Sequence, residues 1–126
     1  MKKQLVLFLA IGVLFLFVQS FSPELPKEGA FPDEITSVLK TSCYDCHYTG
    51  SSSDKALNKV NFATWDEYRS TKQIGLLGDI GEVVKERKMP PGKYLKNKPE
   101  AELSEKHIQL LGDWTEQEAE KLMQGN

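Results

Sequence analysis

Cys43-Tyr44-Asp45-Cys46-His47 places two thiols three residues apart and an imidazole directly after the second. On one helical turn, positions i and i+3 share a face, so both sulfurs point the same way and can bond the two vinyl groups on one porphyrin edge. This is the C-x-x-C-H attachment sequence for c-type haem, with His47 facing the iron as the proximal ligand. Its other ring nitrogen is expected to donate to a backbone carbonyl that fixes the ring. Two Cys and two His scattered at random over 126 positions give this run about once in four thousand sequences. Three other chemistries use the same residue types. A thiol-disulfide redox pair expects a βαβ setting and leaves His47 without a task. A structural disulfide across one turn closes too short a loop to stabilise much. Zinc needs a fourth ligand, and only His107 or a carboxylate remains to supply it.

The candidate for the sixth iron position is Met89, in Lys88-Met89-Pro90-Pro91-Gly92. A thioether is a soft ligand that suits haem iron, and two consecutive prolines restrict the backbone that presents it, so less entropy is lost in holding the sulfur on the metal. His107 competes for the same position, but as the third residue of the last helix it reads as a solvated surface side chain. Met123 reads as exposed or packing, and Met1 is the initiator. Phe62, Trp65, Tyr68 and Tyr94 are candidates to line a haem pocket and are equally suited to an ordinary core. The propionates need cations, and Lys and Arg are too numerous in the sequence to choose one.

The elements that must position these groups read as helices. Pro32-Asp33-Glu34 opens a helix carrying Ile35, Val38, Leu39 and Ser42 at helical spacing and running directly into Cys43. Tyr48 to Asp54 has loop composition, and Thr64-Trp65-Asp66-Glu67 has the form of a capping box that predicts a second helix through Tyr68. Leu76, Leu77, Ile80, Val83 and Val84 predict a third helix, which must stop by Met89 because Pro90 disfavours a helical residue before it. Gly75, Gly78 and Gly81 in that stretch fit either a frayed helix start or a bare face open to close approach, with the frayed start the simpler reading. Ser104 predicts the N-cap of a last helix, with Leu103 and Ile108 as a hydrophobic staple and Ile108, Leu111, Trp114, Thr115 and Leu122 as its buried stripe. No strand alternation or hairpin signal appears, so the class is all-α.

Composition sets the compartment and the partners. Met1-Lys2-Lys3 followed by an apolar run from Leu5 to Val18 has the form of a secretory signal, with a cut expected after Ser20. Retained, the 20 uncharged residues at 4–23 are long enough to tether the chain to a membrane. Residues 1–20 are therefore read as signal peptide or anchor, 21–30 as a spacer with two Pro and one Gly, and 31–126 as the domain. The whole chain carries −2; without Lys2 and Lys3, 14 positive against 18 negative side chains leave −4. With no long basic run, nucleic acid is not an expected partner. Beyond the leader, Leu, Ile, Val and Phe make up only about a fifth of the chain, a composition at which a chain-only core is marginal. A covalent macrocycle would add apolar burial worth several kcal/mol at about 25 cal/mol per Å², so an unfolded or molten apoprotein is expected.

Taken together, Cys43 to His47, Asn61-Phe-Ala-Thr-Trp65, Lys88-Met89-Pro-Pro91 and Pro99-Glu-Ala-Glu-Leu-Ser104 leading to Asp113-Trp114 resemble the small bacterial haem-binding domain proteins, a branch of the c-type cytochromes. The resemblance spans most of Phe31 to Leu122. It implies one covalent haem c on Cys43 and Cys46, iron ligation by His47 and Met89, and a cytochrome c-like bundle of about four short helices around the haem. The chain departs from the family between His47 and Asn61, where relatives carry a longer insert with a Tyr-Pro-Trp-Tyr-like motif. The expected function is a monohaem electron carrier, not an enzyme, in the periplasm or on the extracytoplasmic face of the membrane, exchanging single electrons with a redox partner protein. At −4 the domain suits a basic docking patch on that partner. The competing expectation is a haem-based ligand sensor or small peroxidase in which Met89 is displaceable; a haem-free thiol module is the third.

Overall fold

The computed structural model describes residues 29–125, and within them every regular element is helical. The leader at 1–20 and most of the spacer at 21–30 lie outside the described residues. Three longer helices make the frame: α1 (Asp33–Ser42), α4 (Ser70–Lys85) and α6 (Glu105–Gln124). Three single turns, α2 (Tyr44–His47), α3 (Asp54–Leu57) and α5 (Gly92–Leu95), and two 3₁₀ segments, Phe62–Glu67 and Pro99–Ala101, carry the chain between them. Among the described residues no helix is long and apolar enough to cross a membrane.

The first helix forms as its sequence requires. Pro32 stands at the N-cap, Asp33 and Glu34 occupy the first turn, and Ile35, Val38, Leu39 and Ser42 are buried. The backbone breaks at Cys43 (φ −125°, ψ −37°), whose N–H still donates to the Leu39 carbonyl at 2.8 Å, and α2 starts at the next residue. The C-x-x-C-H motif thus sits on a turn fixed to the end of a well-packed helix.

The second expected helix is corrected by the structure. Thr64 is not an N-cap: its hydroxyl donates to the Asn61 carbonyl, and its own backbone is non-helical inside the segment. Asn61 caps instead, accepting from the Ala63 N–H at 3.1 Å, and the result is a kinked 3₁₀ stretch over Phe62–Glu67. A helix begins only at Ser70, so α4 starts well before the Leu76-to-Val84 stripe. The loop reading of Tyr48 to Asp54 holds for the run of small residues but not for its end. There Ser53 accepts from the Ala56 N–H at 3.4 Å and nucleates the single turn α3.

The core lies where α1, α4 and α6 meet, with Leu39, Leu77 and Leu111 fully buried at its centre. Phe31, just ahead of α1, is its aromatic hub, with ring centroids 5.9 Å from Phe62, 5.4 Å from Trp65 and 5.5 Å from Trp114. Ser104 caps α6 by accepting from the His107 N–H at 3.2 Å, and Leu111, Trp114 and Thr115 form the buried stripe, flanked by the half-buried Ile108 and Leu122.

The three glycines lie inside α4 rather than at a frayed start, and they do different things. A Cβ on Gly75 or Gly78 would meet open space, whereas one on Gly81 would come within 2.8 Å of the Thr115 hydroxyl oxygen. Thr115 is buried and donates to the Gly112 carbonyl at 2.9 Å, so it has little freedom to yield. Only Gly81 therefore serves close approach of α4 to α6. Gly75→Ala and Gly78→Ala should each raise thermal stability by up to about 1 kcal/mol, the helix-propensity difference. Gly81→Ala should lower it, because overpacking at a tight contact costs about 1–3 kcal/mol and outweighs that gain. Thermal melts of the three single variants check the sign at each position.

Candidate functional site

The site is a cleft between the C-x-x-C-H turn, α4 and the chain that follows it. His47, the last residue of α2, lies with its Nδ1 3.2 Å from the Val60 carbonyl oxygen. With Nδ1–H donating there, Nε2 carries the free lone pair, the tautomer an iron ligand needs. The Phe62 ring meets the imidazole edge-on at 6.3 Å. Tyr44, within the motif, stacks on Tyr48 at 4.5 Å and tilts against Phe62 at 5.7 Å. Lys55 and Ala56 of α3, with Lys59, line the smaller cavity beside His47.

Cys43 and Cys46 are free and half-buried. Burial, with Cys46 adding repulsion, pushes the Cys43 thiol up to about 12. A reactive redox pair needs a thiolate at neutral pH, so this is the wrong electrostatic setting for the thioredoxin-like reading. Zinc fares no better: among the described residues no three His, Cys, Asp or Glu side chains gather to hold a metal ion.

Met89 reaches the cleft through the way α4 ends. Arg87 takes a left-handed backbone (φ 55°), and the chain turns so that Lys88 and Met89 both donate to the Val83 carbonyl, at 2.8 and 3.3 Å. Pro90 is buried, whereas Met89 is 38 % exposed. Two cavities, of about 470 and 340 Å³, adjoin, and Cys43, His47, Lys59 and Met89 line both. The four residues singled out from sequence are thus brought to one cleft, with Cys46 lining the smaller cavity. Of the aromatic candidates, Phe62 lines the larger cavity and Tyr94 the smaller. Trp65 and Tyr68 line neither. Trp65 is buried in the core, and the Tyr68 hydroxyl accepts from the Asn61 N–H at 3.0 Å. His107 also lines neither cavity.

One part of the site has no signature in the sequence. The Asp45 carboxylate accepts from the Tyr94 hydroxyl at 2.8 Å and is ion-paired with Lys98. The Lys98 ammonium, and then the Tyr94 hydroxyl, hold its carboxyl below the usual carboxylate range. These contacts join α2 to α5 and to the segment after it, and Asp45 and Tyr94 both line the smaller cavity. Residues 49 and 53 positions apart meet here, and local periodicity carries no information about such a pairing.

The residues present fit a haem. The thiols are unpaired and spaced on one turn, the imidazole is oriented through Nδ1, and the soft sulfur lies at the junction of two cavities. Leu76, Ile80, Val83 and Val84 from α4 give the larger cavity an apolar wall against which a flat macrocycle can pack. A family model described as haem-binding domain matches residues 51–117, slightly more than half of the chain, beginning just after the attachment motif. The chain belongs to this family of haem-binding domains, and it binds haem. No curated protein and no solved structure matches it.

Proposed function

We propose that the chain is an exported monohaem c-type cytochrome that transfers single electrons. In this reading Cys43 and Cys46 hold the haem through thioethers, His47 Nε2 ligates the iron, and Met89 sulfur takes the sixth position. Bound haem supplies an iron that alternates between ferric and ferrous states. The chain's own residues supply orientation and burial. The observation that carries the reading is the His47 Nδ1 contact to the Val60 carbonyl, because it commits the imidazole to a ligand's tautomer directly beside two free thiols. Val60 itself is buried, so that carbonyl is a fixed acceptor. The apolar leader supports export, the compartment in which c-type attachment takes place.

The exposure of Met89 favours a second reading, a ligand sensor or small peroxidase in which the thioether yields to a gas or peroxide. The experiment that tests the proposal is intact mass together with a visible spectrum, on protein expressed with export and haem-attachment machinery. One added haem that resists acid-acetone extraction is the expected result. A colourless protein weighing only its amino acids overturns the c-type reading.

A further inference from the structure

This inference rests on the haem reading above and extends it to the haem carboxylates. Thioethers at Cys43 and Cys46 would turn one porphyrin edge toward α2, and the two propionates leave from the opposite edge. Cys46 lines only the smaller cavity, whereas the larger one continues from Cys43 and His47 along α4. The edge away from the sulfurs therefore extends along α4, where the apolar wall gives way to Asn58, Lys59 and Lys72.

We propose that Lys59 and Lys72, assisted by the Asn58 amide, bind the haem propionates. Neither lysine makes an ion pair among the described residues, whereas Arg87, Lys88, Lys98 and Lys121 are all engaged. Lys59 lines both cavities and directly precedes Val60, whose carbonyl holds His47, so its backbone is tied to the imidazole. Lys72 lies in the first turn of α4, four residues before Leu76 and on the same face, so its stem can follow the apolar wall while its ammonium stays at the mouth. The positive end of the α4 dipole lies there as well. Further along the same helix Asp79 and Glu82 also line the cavity and would repel a carboxylate, which confines the propionate edge to the Lys72 end. Lys55 lines only the smaller cavity, on the sulfur side, and is not part of this cradle.

The test uses haem-loaded protein carrying Lys59→Gln, Lys72→Gln, both together, or Lys93→Gln; Lys93 is exposed and lines neither cavity. A cation that neutralises a propionate disfavours the more positive ferric state, so its loss should lower the reduction potential. Each cleft variant should shift the potential downward more than Lys93→Gln does, the double variant further still, and Lys72→Arg should restore it. The propionate bending band in the resonance Raman spectrum should move in the cleft variants alone. Haem-loaded variants whose potential and Raman band match those of Lys93→Gln overturn the propionate assignment while leaving the haem reading intact. Wild-type protein that carries no covalent haem overturns the underlying reading instead.

Discussion

In ferric protein carrying Met89→Ala, the weak long-wavelength sulfur-to-iron band is expected to vanish, a high-spin spectrum to replace it, and cyanide to bind rapidly. The reduction potential should fall, since Met ligation raises it and axial ligands command a range of roughly 0.8 V across haem proteins. The haem-free fold should barely respond. Met89 is 38 % exposed, so its truncation removes far less packing than the about 2–5 kcal/mol lost with a buried Met. That contrast is diagnostic, because a core methionine would show the reverse: an intact spectrum and a lowered melting temperature. If the wild-type ferric protein is itself high-spin and takes up cyanide rapidly, Met89 is not a firm ligand and the sensor or peroxidase reading prevails.

Cys43→Ser/Cys46→Ser should give protein whose mass equals its polypeptide and whose residual haem is removed by acid-acetone. Its thermal transition should broaden or disappear. Leu76, Ile80 and Val84 are already buried by the chain, so a fixed macrocycle adds chiefly the burial of its own apolar faces against this wall, worth several kcal/mol at about 25 cal/mol per Å², and the double variant forfeits that. The core around Phe31, Leu39, Leu77 and Leu111, which Leu76, Ile80 and Val84 share, is closed by the chain itself, so helical circular dichroism should be lost less completely than the cooperative melt. A double variant that melts as sharply and at the same temperature as the haem-loaded protein shows that the chain-only core is sufficient. The expectation of an unfolded or molten apoprotein is then wrong.

The grouping of the candidate residues is legible in the sequence because it is local. Two thiols and an imidazole within five residues need only one helical turn to converge, and α1 delivers that turn through Ile35, Val38 and Leu39. The N-cap at Ser104 and the stop before Pro90 are legible for the same reason, since caps and prolines act on their immediate neighbours. The Thr64 capping box fails because the motif specifies donors and acceptors but not which way a hydroxyl turns. Asn61 supplies the better acceptor three residues earlier. The glycine row misleads because its meaning depends on Thr115, which sits on a helix 34 residues further on.

Spacing within a turn or two is enough to dictate the all-α class and the single turn that carries Cys43, Cys46 and His47, so both can be read from the order of residues. Long-range packing alone establishes that Val60 orients His47, that Asp45 is clamped by Tyr94 and Lys98, that Phe31 is the aromatic hub, and which lysines face the cleft. Those pairings join residues far apart in the chain, and they exist only after the burial of α1, α4 and α6 against one another has brought the connecting segments together.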